Sequence, residues 1–380
     1  MPRSSKRVRK IKNPMCPLKI GILPELHELI FQHFDAGDVL ILSETSKKWW
    51  RAIGQSKKCM QQVRLGLENW ESTETPEDIV WSMSVIKSST RRYQNVRINS
   101  NDEEMVSRKA VELLKYFASS LVDVRFLNAD KVKIKEKFQF PRLERLQFIN
   151  NVAEVDELFL HGCTELKEIN LKHHYWADAV PVKVCLKQNP NLKILKLWDT
   201  GITNLFKTYE LDSFNFKLKR FATGADGETA KETELNFMNF LDSQNEIEAI
   251  RFRSGLDGVS AEIINKVFEM SSIKIIHLDG VGDLKALCLP LNPKIIELRL
   301  PWNVDDLSKI TSFLRAVPKV KVLFLRKINM EILSYVASHL KELKILYYTR
   351  AEGCMGCFKK YLTSNEDANK DIMLVNKEWY

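Results

Sequence analysis

A three-position apolar template, apolar-x-x-apolar-x-apolar, recurs along most of this chain at nearly constant spacing. A chain patterned in this way can bury each unit only against its neighbours. The template falls at Tyr93/Val96/Ile98, Leu121/Val124/Phe126, Leu143/Leu146/Phe148, Leu166/Ile169/Leu171, Leu192/Leu195/Leu197 and Leu218/Phe221/Thr223. It continues at Ile247/Ile250/Phe252, Ile273/Ile276/Leu278, Ile295/Leu298/Leu300, Val320/Leu323/Leu325 and Leu343/Leu346/Tyr348. Its first position runs from Tyr93 to Leu343 in ten steps of 22 to 29 residues, 25 on average. With 44% hydrophobic residues, three apolar positions coincide by chance at about one site in twelve, so a single match carries nothing. Val155/Leu158/Leu160 is such a match, out of register with the rest. The spacing carries the argument, together with the apolar stripes at helical period that fill the intervals: Ala110/Leu113/Leu114/Phe117, Ile263/Ile264/Val267/Phe268, Leu307/Ile310/Phe313/Leu314 and Ile332/Leu333/Val336. A short strand and then a helix, about every 25 residues, predicts an α/β solenoid. The competing reading is a generic α/β domain with parallel strands, which would alternate in the same way.

In a solenoid the side chains of each strand alternate inward and outward, and the fifth template position faces the open, concave surface. That column reads Arg97, Arg125, Gln147, Asn170, Lys196, Ala222, Arg251, His277, Arg299, Phe324 and Tyr347, without an acid. The flanking third and seventh positions add Arg145, Lys172, Trp198, Arg220, Arg253 and Arg326 against Asp123, Glu168, Asp279 and Glu297. Eleven strands would make a ridge roughly 50 Å long, basic with aromatic insertions, suited to an acidic partner surface. The expected target-binding residues are Arg97, Arg125, Lys196, Trp198, Arg251, Arg299 and Tyr347.

The net charge of +9 is concentrated at one end. Residues 1–14 hold six Lys or Arg and no acid, which leaves 52 basic against 49 acidic residues elsewhere. This tail reads as a nuclear-localisation signal, a loose electrostatic contact, or a solvated extension. No apolar run follows it as in a secretory signal, and no stretch approaches a membrane span. Seven irregularly spaced cysteines (Cys16, Cys59, Cys163, Cys185, Cys288, Cys354, Cys357) point to reduced thiols and a cytoplasmic or nuclear setting.

Ahead of the repeats stands LPELHELIFQHFDAGDVLILSETSKKWWR, residues 23–51. Leu23-Pro24-Glu25 opens a helix with Pro in its first turn and an acid beside the positive end of the dipole. Leu26, Leu29, Ile30 and Phe34 recur at helical spacing, Asp35-Ala36-Gly37-Asp38 breaks the pattern, and Val39, Leu40 and Leu42 begin a second segment ending at Trp49-Trp50. Two or three short helices result. The order Leu23, Pro24, Glu25, Ile30, Phe34, Asp38, Val39, Leu40, Ser43, Lys48, Trp49 resembles the F-box, with Thr45-Ser46 where that family often has Val-Cys. The resemblance implies docking onto a Skp-type adaptor, and through it a cullin, by Leu23, Pro24, Leu26, Ile30, Phe34, Val39, Leu40 and Trp49. Read from the residues alone, the competing reading is an amphipathic hairpin packed on its own domain; about forty residues bury too little surface to stand alone, so the apolar face must lean on something.

The array behind it resembles the leucine-rich repeats that commonly follow an F-box, in an irregular horseshoe of about 10–11 repeats. The Asn that this family places at the ninth position appears only as Asn151 and Asn303; His174, Asp226, Gly255 and Val281 hold that place elsewhere, so each turn is expected to close differently. The implied organisation is a basic tail (1–18), an F-box (19–65), a connector (66–92), a solenoid (93–352) and a C-terminal cap (353–380).

Catalytic signatures are missing from the sequence: no Gly-x4-Gly-Lys-Ser/Thr loop, no Gly-x-Gly-x-x-Gly and no His-Glu-x-x-His occurs. Cys354-Met-Gly-Cys357 is a single Cys-x-x-Cys, read as a turn in the cap beside a zinc or redox role. His161, Cys163, His173, His174 and Cys185 lie on successive repeats and read as core and surface residues rather than metal ligands. The expected function is a non-catalytic substrate receptor of a Skp–cullin–F-box ubiquitin ligase, without a cofactor and off the membrane, with a protein target of acidic character. The alternative is a leucine-rich-repeat protein that binds nucleic acid or another polyanion without ligase function.

Overall fold

The computed structural model describes residues 29–31, 33–68, 84–89, 91–99, 104–127, 134, 136–149, 157–172, 180–198, 205–206, 214–225, 231–254, 259–279, 287–365 and 367–377. These fall into two units, Met1–Arg64 with Ser89–Tyr93, and Leu65–Ser88 with Gln94–Tyr380.

The first unit is helical. α1 (Ala36–Thr45), α2 (Lys47–Gln55) and α3 (Lys57–Gln62) follow one another almost without loops, because a capping side chain stands at each junction. Asp35 and Asp38 form a reciprocal capping box on α1, in which the Asp38 N–H donates to Asp35 Oδ1 at 2.8 Å. Ser46 accepts from the Trp49 N–H and Ser56 from the Cys59 N–H. The Thr45-Ser46 pair therefore has a local use, since Ser46 starts α2. Phe31, Val39, Ile53, Cys59, Met60 and Val63 form the core, with Phe34, Leu42, Trp49 and Tyr93 packed on it. The chain returns to this unit at 89–93, where Arg91 donates to Ser43 Oγ at 2.7 Å and lies over the Trp50 ring.

The second unit is α/β. Among the described residues, thirteen strands form one sheet in strict chain order, and from β2 to β13 every adjoining pair is parallel. The strands are β1 (Arg64–Glu68), β2 (Asn95–Asn99), β3 (Asp123–Leu127), β4 (Arg145–Ile149), β5 (Glu168–Lys172), β6 (Ile194–Trp198), β7 (Arg220–Ala225), β8 (Ala249–Ser254), β9 (Ile275–Leu278), β10 (Glu297–Arg299), β11 (Val322–Ile328), β12 (Ile345–Ala351) and β13 (Met373–Asn376). Between them run α4 (Glu104–Phe117), α5 (Glu157–His161), α6 (Val180–Gln188), α7 (Lys231–Ser243), α8 (Ala261–Glu269), α9 (Leu307–Ala316), α10 (Met330–His339) and α11 (Met355–Ser364).

The repeat template and the register coincide. Val96, Val124, Leu146, Ile169, Leu195, Phe221, Ile250, Ile276, Leu298, Leu323 and Leu346 stand side by side across β2 to β12. Every residue at the fourth and sixth template positions is 4% exposed or less, so a slip of one residue in any strand would turn that strand's apolar pair toward water. The helices cover the face to which these residues point. Phe159 of α5 packs edge-on against Phe126, and Phe237 of α7 contacts Phe221 and Phe252. The stripes of α4, α8, α9 and α10 are buried as their spacing predicts, apart from half-exposed Leu307. The off-register match at residues 155–160 overlaps helix α5.

The sheet reaches beyond residues 93–352 at both ends. β1 lies across the boundary drawn at residue 65, and β13 lies in the segment read as a cap. Both escape the template for one physical reason: an edge strand has a neighbour on one side only, so its sequence need not satisfy a fully buried ladder. In register with Leu343/Leu346/Tyr348, β13 places Leu374 at the fourth position but Asn376 at the sixth, and Asp371 precedes it at the first. Tyr93, the template's first outlying position, packs on the helical unit's core instead of the sheet's.

Turn closure uses amides that the ninth-position pattern does not reveal. Asn151, His174, Asp226, Gly255 and Val281 lie outside the described residues, and Asn303 is half-buried. Asn189, Gln244 and Asn292, each three residues ahead of a template's first position, are buried. Asn189 Oδ1 accepts the Leu166 N–H at 2.6 Å, and its Nδ2 donates to the carbonyls of Cys163 and Cys185. Gln244 accepts from the Leu218 N–H and donates to Phe216 O. Asn292 donates to Phe268 O and Met270 O, and Asn369 ahead of β13 donates to Leu340 O, Lys341 O and Leu343 O. Each amide thus ties its unit to the preceding one at the amino ends of the strands. Asn189→Asp removes both donors and sets a carboxylate against two carbonyls. The expected loss exceeds about 2 kcal/mol, read as a lower urea midpoint, whereas Lys193→Ala on the surface leaves the midpoint nearly unchanged.

Candidate functional site

The helix-free face of the sheet carries the third, fifth and seventh template positions, and many of its cations are held by its acids, singly or two to one acid. Asp123, with a fully buried side chain, sits in register between Asn95 and Arg145. It holds Arg125 at 2.9 Å and Arg145 at 3.2 Å, and two cations on one buried carboxylate fix the geometry of β3 and β4. Lys196 pairs with Glu168 at 2.9 Å. Asp279, at the end of β9, is shared by Arg251 at 3.6 Å and Arg299 at 3.3 Å. Burial draws the Arg299 pKa below the ordinary arginine value; Asp279 opposes this and Arg251 adds to it. His277 Nε2 lies 2.7 Å from Glu297 Oε1. The acids of the flanking columns, read from the sequence as a minority, therefore hold much of the basic column in place.

The carboxyl ends of β9 to β12 enclose a cleft of about 190 Å³. Asp279, Arg299 and Arg326 supply its charges, Trp302 and Phe324 its aromatic walls, and Leu278, Leu300 and Thr349 much of the remainder. Arg326 lies over the Trp302 ring and donates to the Trp302 carbonyl at 3.2 Å. Beside the cleft Phe324 stacks on Tyr347 at 4.6 Å and 8°, His277 meets the other side of Phe324 edge-on, and Lys377 covers Tyr347. The stack follows from register, because Phe324 and Tyr347 are direct neighbours in parallel strands. Small-molecule pockets run to roughly 300–1,000 Å³, so this cleft suits one side chain or terminal group of a larger partner.

Of the expected target-binding residues, Arg97, Arg125, Lys196, Arg251, Arg299 and Tyr347 share this face, and Arg299 and Tyr347 gather at the cleft end with Phe324. Trp198 ends β6, and its side chain lies outside the described set. The sequence reading did not single out Trp302, which follows β10 past Pro301, or Asp279 as the shared anion. Aromatic content beyond a strand's end was the available signal for the first; the second depends on cross-strand register. Arg220, Arg253 and Arg326 are exposed cations of the face among the described residues. Replacing these three by Gln, which sets no new acid beside Asp279, is expected to weaken binding to a polyglutamate probe severalfold, with stability lowered by about 1 kcal/mol or less because Arg326 loses its contacts with Trp302. Reversing Lys196, Arg251 and Arg299 instead sets new carboxylates against Glu168 and Asp279 and is expected to lower the urea midpoint.

In the helical unit, Leu23, Pro24 and Leu26 lie outside the described residues. Ile30 and Leu40 are 38% and 40% exposed, next to Leu29 at 51% and Ile41 at 66%. Val39, expected on the docking surface, is instead fully buried: α1 turns Val39 and Ser43 inward and Leu40 and Ile41 outward. Phe34 and Trp49 are half-buried against the same core.

The described thiols and imidazoles do not assemble into a metal centre: no group of three or more His, Cys, Asp or Glu there could hold an ion. Cys163 and Cys185 are buried, and burial pushes the Cys185 thiol up to about 12 and Cys163 well above the usual thiol range. His173 and His174 lie outside the described residues. Among the described residues no helix is long and apolar enough to cross a membrane. No protein-family model matches the chain, and no curated protein matches it in sequence. The case for a function therefore rests on the residues and their geometry.

Proposed function

We propose that this chain is the substrate-recognition subunit of a Skp–cullin–F-box ubiquitin ligase, with residues 19–65 as the F-box and the sheet unit as an irregular leucine-rich-repeat array. One observation carries the reading. Four large apolar side chains, Leu29, Ile30, Leu40 and Ile41, stand exposed within a short stretch of a small helical unit whose own core is already filled by Phe31, Val39 and Ile53. An apolar surface left over after a core is complete marks an interaction site. Two of the four, Ile30 and Leu40, are among the residues that the F-box resemblance implies as contacts for a Skp-type adaptor, and this overlap supports the reading.

The mechanism is proximity. The helical unit holds the adaptor and cullin, the open face of the sheet holds an acidic target surface, and a ubiquitin-conjugating enzyme recruited through the cullin meets the target's lysines at raised effective concentration. The receptor contributes binding and no chemical step. Purified chain mixed with a Skp-type adaptor in high salt is expected to elute as a complex on gel filtration. Two separate peaks would overturn the proposal.

The basic column favours a second reading, a polyanion-binding protein without ligase function. Nucleic-acid binding that falls steeply with salt, without adaptor association, would select it.

A further inference from the structure

The turn after β12 presents two thiols that the receptor function leaves unused. Cys354 occupies the N-cap of α11 and Cys357 follows in its first turn, so both sulfurs lie on one face of the helix start. Both are exposed, whereas Cys59, Cys163 and Cys185 are buried. Two glycines shape the site. Gly353 has φ +142°, a backbone conformation that favours glycine, and a side chain there would meet the Phe358 ring at 3.2 Å. Phe358 is buried and anchors the helix, so this turn sets where Cys354 stands. The position of Gly356 places its Cα side within van der Waals reach of the Cys354 sulfur, 3.5 Å from where a Cβ would stand.

We propose that Cys354 and Cys357 form a redox-active dithiol that exchanges with a low-molecular-weight disulfide such as oxidised glutathione. The Cys354 thiolate attacks one sulfur of the disulfide, forming a mixed disulfide and expelling one glutathione thiolate. Cys357 then loses its proton to water, and its thiolate attacks the Cys354 sulfur. The Cys354–Cys357 bond forms and the second glutathione thiolate leaves. The protein dithiol is oxidised by two electrons and one disulfide is reduced to two thiols.

Position on the helix sets this order of attack, because Cys354 stands at the N-cap, at the positive end of the helix dipole, and Cys357 one turn inside. The Cys357 amide, the Cys357 thiol and the Gly356 amide draw the Cys354 pKa below the ordinary thiol value, although no full cap hydrogen bond forms. Cys357 is raised in turn, by its hydrogen bond and its proximity to Cys354. The thiolate is the attacking species, so Cys354 is the nucleophile and Cys357 the resolving thiol.

The test uses the full chain and is independent of the ligase reading. At neutral pH, Cys354 is expected to alkylate at least about tenfold faster than Cys288, which is also exposed. In glutathione buffers of graded ratio, peptide mass spectrometry should show the 354–357 peptide losing two hydrogens and becoming refractory to alkylation. Cys357→Ser should accumulate glutathione on residue 354, and Cys354→Ser should lose the fast reaction. Alkylation of Cys354 at the Cys288 rate, or two thiols that stay reduced in oxidised glutathione, would overturn the proposal. The wild-type rates alone decide the first point, whatever the variants do to folding.

Discussion

Leu195→Asp is expected to unfold β5 to β7, while Lys196→Gln, one residue along the same strand, leaves them intact. Leu195 is fully buried, between Ile169 and Phe221 in register, on the apolar face of the sheet, while Lys196 and Arg220 belong to the opposite face. An ionised group placed there without a partner costs more than about 4 kcal/mol, beyond the range of ordinary point substitutions. Lys196 points to the other face and loses only a half-exposed ion pair with Glu168, a change of about 0–1 kcal/mol. Gln is the informative replacement because an acid at 196 would sit beside Glu168. Urea unfolding followed by circular dichroism separates the two outcomes. Equal midpoints would mean that inward and outward positions do not alternate as the register requires.

In the helical unit, Ile30→Asp with Leu40→Asp is expected to abolish adaptor association while the unit stays folded. Burying each side chain in an interface contributes about 1.5–3 kcal/mol, so losing both weakens binding by roughly a hundredfold or more. Both residues are exposed in the chain alone, and the core of Phe31, Val39, Ile53 and Met60 does not depend on them. Val39→Asp is the contrasting variant: it also loses binding, but through unfolding, which thermal melting detects. Calorimetric titration with the adaptor gives the affinity, and a double variant that binds like the parent would remove the docking surface from Ile30 and Leu40.

These variants could be chosen because strand order, register and helix stripes follow from local apolar spacing alone. Val96 to Leu346 fall in line across β2 to β12 since each buried strand must satisfy the same pattern. The remainder depends on contacts about one repeat apart, which no local pattern encodes. Asp279 meets Arg251 and Arg299 only once β8, β9 and β10 are laid side by side, and Asn189 reaches Leu166 and Cys163 only across two units. The exposed apolar stretch was legible as a stretch but not residue by residue: Val39 and Leu40 are equally apolar neighbours, and only the packing of α1 decides that one faces the core and the other water.

The strict chain order of the sheet also bears on how such a protein is made and how it changes. Each strand finds its partner in the unit just before or after it, so no long loop must close before pairing begins, and growth can start at any unit and spread by accretion. A nascent chain can therefore add finished units one at a time. For the same reason a gene that gains or loses one whole unit lengthens or shortens the sheet while leaving every other pairing as it was, and the open face can be fitted to a new partner by changing its length as well as its side chains.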